Sequence, residues 1–394
     1  MKVGHFWSGV TATVRREIER LATNREYRAV AWWLPLGVII FFAIFFSQEV
    51  VGTLPVAVVD EDNSSLSRKV VSMIRATPQT ALVEEVADMA MARTKVLQGD
   101  VVAVVEIPDG FSKNILSGEP APIIFHDSGT NISTNSLVAK GVQTAITTFG
   151  VGVSLQRATM QGVAPDRAIA KTMPIAFTTY GLFNPWLNYA YYVAPCFWAM
   201  ILIIAAMLST IYAVGSELRY ATSVGWLRSA NGSLVGALMG KLAPITLSLW
   251  LLSAVVAMLI FGVFGAPMRG SWVMLVAGAM ALVIAYQAVA LLVVALTASF
   301  RLSLSLGGGY SVLAFTFSGV TFPTMAMISW VQPFTMLFPY TYFMELYIDQ
   351  AVRGLAWWHS MQDIAAMLLF CLLPLLLLGR MKRILVNRKF WGRL

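Results

Sequence analysis

The chain has 394 residues, of which 58% are hydrophobic and only 12% are charged, and its mean hydropathy is +0.71. Because an ordinary soluble domain carries about 25% charged residues, this composition excludes a water-soluble fold, a disordered chain and a free nucleic-acid-binding domain. The net charge of +8 follows the predicted membrane orientation and does not indicate a nucleic-acid partner. The composition predicts an integral protein of the lipid bilayer.

Residues 1–28 are predicted to form an amphipathic helix at the cytoplasmic face of the membrane. Its apolar residues recur at spacings of three and four, at Trp7, Val10, Val14, Ile18 and Leu21. Such a helix lies along the interface, either as a simple anchor or as a contact for a partner. Residues 29–46 follow directly and are apolar over nearly the length that a first membrane span needs.

Residues 47–185 alternate strand-like and helix-like stretches, which predicts an extracytoplasmic α/β domain inserted between the first two spans. The predicted strands are Leu54–Val59, Val101–Ile107 and Pro122–Phe125. The predicted helices are Ser64–Arg75, capped by Ser64 or Ser65, then Ala87–Gln98, Asp109–Leu116 closed by Gly118, and a long one over Thr134–Gln161. Both ends of this domain return to the membrane.

Residues 186–379 supply the other five of six predicted membrane helices. Their apolar stretches are Trp186–Val214, Leu242–Gly265, Trp272–Ala298, Ser303–Phe322 and Ile364–Gly379. The loop after the second span is the only substantial cytoplasmic loop between spans. Residues 323–363 are dense in aromatic residues and prolines, which predicts a partly re-entrant extracytoplasmic hairpin. Residues 380–394 form a basic cytoplasmic tail.

The charge distribution supports this topology, with both termini in the cytoplasm. Six spans place sixteen basic and four acidic residues on the inner side, against twelve basic and sixteen acidic residues outside. No Asp, Glu, Lys or Arg lies near the centre of a predicted span, which disfavours an ion-driven carrier. No internal repeat relates two halves of the chain, which disfavours a carrier of the inverted-repeat type.

The sequence predicts no catalytic residue, no metal site and no cofactor held by this chain. The three histidines lie in separate segments, and no zinc-binding spacing is present. The segment Gly236–Lys241 has one residue too few for a phosphate-binding loop, and Leu242 stands where Ser or Thr is required. Instead, Gly232, Gly236 and Gly240 recur every four residues, which predicts close helix packing at the foot of the third span.

Short motifs along nearly the whole chain resemble those of the permease subunits of type-2 ABC exporters, in the branch with a large extracytoplasmic insert. They begin with Arg16-Glu17, Asn24-Arg25, Pro35, Val56–Ser65 and Phe183-Asn184-Pro185. They continue with Glu217, Arg219, Thr222, Leu227 and Gly240-Lys241 in a coupling-helix region, residues 216–230 and just beyond. They end with Ser318-Gly319, Pro323, Trp330, Gln332-Pro333, Pro339 and Tyr342.

The sequence departs from this family at two places next to the coupling helix. The family often has Gly before the coupling-helix Thr, where this chain has Ala221. It also often has a Thr-Pro pair after the helix, where this chain has Ser229-Ala230. These departures concern the local cap and the detailed contacts of the interface.

The resemblance implies a permease in the bacterial inner membrane that associates with a second permease chain, identical or related. It implies a separate ABC ATPase subunit that holds ATP and Mg, and a periplasmic adaptor that the outer domain could dock. The substrate path would suit a hydrophobic or amphipathic cargo. The ATPase-coupling residues would be Glu217, Arg219, Thr222 and Leu227, together with Arg16 and Glu17 of the first helix.

Two other interpretations of the sequence stay open. The charges of the coupling region could simply mark a solvated loop, since exposed loop charges are common. The chain could also be a membrane scaffold or receptor that acts through its extracytoplasmic domain without an ATPase. Copurification of an ATPase subunit distinguishes an exporter from a scaffold.

Overall fold

The computed structural model describes residues 3–48, 54–80, 82–129, 132–160, 183 and 188–392. The chain divides into two compact units, one formed by Met1–Glu49 with Leu187–Leu394 and the other by Val50–Trp186. The predicted start of the second span at Trp186, and Asn184 and Pro185 of the motif before it, lie outside the described residues.

The first unit begins with helix α1, Val3–Thr23, followed by helix α2, Arg25–Phe45. The prediction of a single helix up to residue 28 is therefore wrong, because α1 ends at Thr23. The chain breaks at Asn24, whose side chain accepts a hydrogen bond from the backbone N–H of Tyr27 at 3.0 Å and so caps α2. The membrane-length helix thus starts earlier than predicted, inside the basic segment.

The second unit is an α/β fold around a four-stranded sheet. Its strands are β1 (Pro55–Asp60), β2 (Leu82–Glu85), β3 (Ala103–Ile107) and β4 (Ile124–Asp127). Its helices are α3 (Ser65–Arg75), α4 (Met89–Gln98), α5 (Phe111–Ser117) and α6 (Ile132–Met160). The spatial order is β2-β1-β3-β4, with β1 parallel to both of its neighbours and β4 antiparallel to β3.

Both faces of the central strand β1 are buried, as its continuous apolar run requires. Val56 and Val58 pack with α3, α5 and α6 on one face, whereas Ala57 and Val59 pack with α4 on the other. The predicted helices and strands of this unit are confirmed to within a few residues, and Ser64 is the N-cap of α3. The prediction missed β2, a short outer strand that contains two glutamates.

The rest of the first unit is a helical bundle. Its helices are α7 (Tyr189–Arg219), α8 (Ser223–Ser229), α9 (Leu234–Val263), α10 (Trp272–Thr297), α11 (Phe300–Phe317), α12 (Pro339–Tyr347), α13 (Met361–Leu376) and α14 (Leu378–Val386). Its core is a single cluster of apolar side chains from α7, α9, α10 and α12. α7 packs along α10 and α11 and is the most deeply buried of the long apolar helices.

Within the described residues, α2, α7, α9 and α10 are long and apolar enough to cross a membrane. A fifth span is obtained if α13 and α14, which meet at an angle of 48°, are counted as one bent helix. The predicted fifth span, Ser303–Phe322, corresponds to α11, which does not meet this criterion. It includes Arg301, three consecutive glycines and several serines, which lower its hydropathy. Six spans therefore remain a prediction.

The last two predicted regions contain regular structure. The predicted hairpin, residues 323–363, includes α12, which continues as a π-helical turn to Arg353 and ends at Gly354 in the left-handed conformation. The predicted basic tail begins inside α14, so its first residues are helical rather than extended. The bend between α13 and α14 therefore falls at the predicted border between membrane and tail.

Candidate functional site

Helices α1, α7, α8 and α9 converge at one end of the first unit because glycines allow very close approach. A Cβ atom on Gly240 of α9 would lie 2.6 Å from Cβ of Thr13 and 2.7 Å from the backbone oxygen of Val10. A Cβ atom on Gly9 would lie 2.8 Å from the backbone carbon of Ala230, just after α8. Helix α1 therefore packs with backbone contact against both α9 and the loop after α8.

A buried group of five charged residues lies where these helices meet. We call it the ion cluster, and it consists of Arg16, Glu17, Arg20, Glu217 and Lys241. The side chains of both glutamates and of the lysine have no exposed surface. Burying a charge costs free energy unless the charge is paired and hydrogen-bonded, so each of the two carboxylates needs partners inside the chain.

Glu217, near the end of α7, accepts hydrogen bonds from four other side chains. Arg16 donates to both carboxylate oxygens, with Nη1–Oε1 and Nη2–Oε2 distances of 2.8 and 3.1 Å. Arg20 Nη1 and Lys241 Nζ approach Oε1 at 2.6 and 2.8 Å. The hydroxyl of Thr222 donates to Oε2. The carboxylate is thus fully satisfied within this chain.

Glu17, on α1, shares two of these cations. Lys241 Nζ lies 2.6 Å from its Oε2 and Arg20 Nη1 lies 3.3 Å away, while the buried hydroxyl of Tyr27 donates to Oε1 at 2.7 Å. Burial alone would lower the pKa of Arg20, but the charges of Glu217 and Glu17 raise it. The ion pairs of the cluster tie α1 to α7 and α9.

Helix α8 is fixed to its neighbours on three sides. The indole N–H of Trp226 donates to the backbone oxygen of Ala237 at 3.2 Å, and the ammonium of Lys241 lies 4.7 Å from the centre of the Trp226 ring. The hydroxyl of Ser223 donates to the backbone oxygen of Leu385 in α14 at 2.6 Å. Together with the ion cluster, these contacts make α8 part of one rigid assembly with α1, α7, α9 and α14.

The six predicted coupling residues occupy different environments. Glu17, Glu217 and Leu227 are buried inside the chain, so their side chains do not form the outer surface of this region. Arg16 is half-buried in the ion cluster. Arg219 is also half-buried, with its guanidinium near the rings of Tyr220 and Phe300, at 5.3 and 5.5 Å. Thr222 is exposed, although its hydroxyl points to Glu217. Glu217 and Leu227 thus contact other side chains of this chain, and their part in coupling to an ATPase stays a prediction.

The exposed surface of α8 and its preceding turn consists of Thr222 together with four residues that were not predicted to couple, namely Tyr220, Ala221, Gly225 and Arg228. Arg20 and Tyr27 were not predicted as members of the site, and Lys241 was predicted only as part of a family motif. Lys241 carried a usable signal, because a lysine at the foot of an apolar helix needs a partner. The partners themselves lie about 200 residues apart in sequence, and no local pattern connects them.

Of the three glycines predicted to pack helices, two do so. Gly240 and Gly236 face α1, and a Cβ atom on Gly236 would lie 3.3 Å from the ring of Phe6. Gly232 is different, because it precedes α9 and adopts φ of +76°, with nothing within 4 Å of a Cβ position. Its role is to allow the turn after α8.

The site offers no place for a phosphate or a metal ion among the residues that the structure describes. Lys241, the last residue of the incomplete phosphate-loop pattern, is fully occupied by two carboxylates. No group of three or more His, Cys, Asp or Glu residues in the described ranges could hold a metal ion. The charged groups of this site join helices α1, α7 and α9 through ion pairs.

Comparison with known protein families identifies one matching family, described as ABC-2 family transporter protein, over residues 27–380. A search of curated proteins finds no match. The matched region covers most of the chain, including the second unit, the helices α7, α9 and α10 and nearly all of α2. It is a family of transporter membrane subunits, and its members in general work with an ATPase partner. On this evidence, the chain belongs to the ABC-2 family transporter proteins and is a multi-pass membrane subunit of permease type.

Proposed function

We propose that this chain is the permease subunit of an ATP-driven exporter, and that a separate ATPase subunit docks against α8. The observation that carries the proposal is the ion cluster, which locks α1, α7 and α9 together beside α8. A displacement of α8 by a partner would move these helices as one body. Two of them, α7 and α9, are of membrane length.

In this proposal the ATPase contacts the exposed residues of α8 and its turn, chiefly Tyr220, Gly225 and Arg228. Arg16 and Arg219, which are half-buried, lie at the edge of this contact. Glu217, Glu17 and Leu227 do not contact the ATPase in this proposal, because their side chains are buried. They act as positioning residues that hold α8 and its neighbouring helices in place. ATP-driven closure of the ATPases would push α8 and tilt the attached helices, which changes access to the substrate path.

The direction of transport and the assembly rest on the resemblance to type-2 exporters. Two permease chains, identical or related, would enclose a path for a hydrophobic or amphipathic substrate that leaves the cytoplasm or the inner leaflet. ATP and Mg would be bound by the ATPase subunit. The α/β unit would stand on the outer side of a bacterial inner membrane, where it would gate release or dock a periplasmic adaptor.

Affinity purification from native membranes tests this proposal. The tagged chain is extracted in a mild detergent, and the copurified ATPase subunit and its ATP hydrolysis are quantified. We expect Arg228→Glu to reduce the amount of ATPase recovered by about tenfold, because a reversed charge at a contact opposes docking. Arg301→Glu is the matched control, since Arg301 is also an exposed basic residue at the predicted cytoplasmic face but lies outside α8.

Equal recovery of the ATPase with both variants contradicts the proposed docking surface. Recovery of no ATPase with the unmodified chain contradicts the exporter and supports a scaffold or receptor that acts through its outer unit. Reversal of Glu217 is not a clean test of the contact. A cation there would face Arg16, Arg20 and Lys241 inside the protein and disrupt the fold.

A further inference from the structure

An apolar groove lies in the first unit on a different face from the ion cluster. It has a volume of about 550 Å³ and runs between α9, α10, α13 and the start of α14. Most of its lining is aliphatic, as shown by Leu238, Leu242, Ala288, Leu291, Leu375 and Leu378. In its wall the hydroxyl of Thr246 donates a hydrogen bond of 2.8 Å to Oε1 of Gln287, whereas Nε2 of Gln287 and Nε1 of Trp250 have no partner among the described residues.

The groove is long enough to take a lipid chain. Its lining on α9 extends from Val235 to Trp250, fifteen residues along a helix, which corresponds to about 22 Å at about 1.5 Å per residue. One leaflet of a bilayer has a hydrocarbon thickness of about 15 Å, half of the whole core. The volume also lies within the range of about 300–1,000 Å³ that is typical of ligand sites.

Two basic residues lie on α14 beyond the end of the groove. Leu378, the first residue of α14, lines the groove, and Lys382 follows four residues later on the same helix face. Because side chains on a helix lean toward its N-terminus, Lys382 extends back toward the groove. Lys382 and Arg383 are both exposed, and the sequence contains no acidic residue after Asp363. Within the described residues, neither cation forms an ion pair.

We propose that this groove binds an anionic phospholipid. The phosphate is held by Lys382 and Arg383 on α14, and one acyl chain lies in the groove between α9, α10 and α13. The two parts of the site lie on consecutive helices, since α13 lines the groove and α14 continues from it after a bend of 48°. Charge selects the headgroup, and the aliphatic lining accepts the chain.

This site is independent of the proposed coupling function. It uses none of the ion-cluster residues and none of the exposed residues of α8, and it requires no ATPase. Anionic phospholipid binding would therefore persist even if the chain were a scaffold or receptor. A failure of the lipid proposal would equally leave the ATPase experiment unaffected.

Titration of the purified, delipidated chain with lipids, followed by native mass spectrometry, tests the proposal. The probes are dioleoylphosphatidylglycerol and dioleoylphosphatidylcholine, which share their acyl chains and differ in headgroup charge. We expect Lys382→Gln with Arg383→Gln to weaken phosphatidylglycerol binding by about tenfold to thirtyfold, since each basic residue near an anionic headgroup contributes roughly fivefold. The control, Arg388→Gln with Lys389→Gln, removes the same charge from the exposed residues after α14 and should have little effect.

The acyl-chain part of the site has its own pair of variants. Leu375 lines the groove and Leu376 does not, although the two are neighbours and both are more than half exposed. We expect Leu375→Trp to fill the groove and to weaken binding of both lipids severalfold, and Leu376→Trp to leave both unchanged. Because both side chains are exposed, neither substitution should disturb the packing of the core.

Three outcomes would overturn the proposal. Equal loss of phosphatidylglycerol in the two double variants would mean diffuse attraction to a basic tail rather than a site. Unchanged lipid binding in Leu375→Trp would show that the lipid does not bind in the groove. A shift from dimer to monomer in the same spectra of Leu375→Trp, with lipid binding intact, would show that a second copy of the chain covers the groove.

Discussion

Lys241 is the residue on which the site depends, because its ammonium lies between the two carboxylates of Glu17 and Glu217. Without it, two buried negative charges would face each other with only the arginines of α1 to balance them. Removing one partner of a buried ion pair typically costs about 3–5 kcal/mol, since an uncompensated charge is left behind. The cluster is therefore evidence for a fixed arrangement of helices more than for a net gain in stability.

Ala221 is strained in a way that a glycine would relieve. It lies in the turn between α7 and α8 with φ of +57°, a left-handed conformation that L-residues with a Cβ adopt at a cost of about 1–2 kcal/mol. We expect Ala221→Gly to raise the free energy of unfolding by about 1 kcal/mol, after the entropy of the more flexible unfolded chain is subtracted. The midpoint of thermal unfolding in detergent measures this change.

Ala12→Gly is the control for this substitution. Ala12 is an exposed residue inside α1, where glycine should destabilise the helix by about 1 kcal/mol. A fall of the unfolding midpoint in both variants would contradict the assignment of strain to Ala221. The departure from the family pattern at this position would then have no conformational cost.

The family motif predicted part of this site. The motif predicted that Glu217 and Thr222 matter, and the structure brings them together through a hydrogen bond. Nothing in the motif predicts that Glu217 faces inward, because that depends on Arg16, Arg20 and Lys241 from other helices. The burial of Leu227 is likewise a consequence of how α8 packs on α9 rather than of its local sequence.

Helix α1 has two faces with different neighbours. Val10, Thr13 and Glu17 are buried against the bundle, whereas Trp7 and Ile18 remain more than half exposed. The apolar periodicity predicted an interfacial helix, and the two exposed apolar side chains suit contact with lipid. The buried face could not be predicted, since the partners of Thr13 and Glu17 include Ser229 on α8 and Lys241 on α9, which are far away in sequence.

The contact between α1 and α9 depends on the absence of a side chain at Gly240. We expect Gly240→Ala to lower the free energy of unfolding by about 1–3 kcal/mol, because its Cβ would overlap the side chain of Thr13 and the backbone of Val10. Displacement of α1 should also speed cleavage within α1 by added protease. Limited proteolysis and thermal unfolding measure the two effects.

Gly37→Ala provides the comparison for Gly240→Ala. Gly37 lies in α2, and a Cβ atom there would have nothing within 4 Å. Alanine at this helical position should be neutral or slightly stabilising. If the two variants show the same cleavage rate of α1, the close approach at Gly240 does not hold α1 in place.

For the whole molecule, the sequence predicted the class of protein and most of the second unit but not the number of spans. The α/β unit could be predicted because its sequence patterns are regular. Ser64 caps a helix there, and Val56–Val59 form a buried strand. The number of spans was harder to predict, because the glycines and serines of α11 lower its hydropathy and because a bend at Leu377 divides the last apolar stretch. Helices that pack against each other in a bundle need not each be strongly apolar.

Six spans and five spans predict opposite locations for the C-terminus. We expect the tail and α1 to lie in the cytoplasm and the α/β unit to lie outside. In a chain with Cys196 and Cys371 replaced by alanine, a membrane-impermeant maleimide on intact cells should label Arg75→Cys but neither Arg388→Cys nor His5→Cys. Permeabilised cells, in which all three variants should be labelled, are the control.

Labelling of Arg388→Cys on intact cells, with His5→Cys protected, would mean an odd number of spans. The positive-inside distribution argues against this outcome, since it would move the basic residues of α14 and the tail to the outer side. Labelling of His5→Cys together with Arg388→Cys would invert the whole topology.

The ion cluster also sets an order of events during synthesis of the chain. Glu17 is made at the start, Glu217 follows after the α/β unit, and Lys241 comes last, at the foot of α9. Until α9 reaches the membrane, the two carboxylates lack their shared ammonium partner, and α1 has no glycine surface on which to rest. The complete ion cluster therefore cannot form before residue 241 has been synthesised, so the packing of α1 against α7 depends on a helix that is made after both of them.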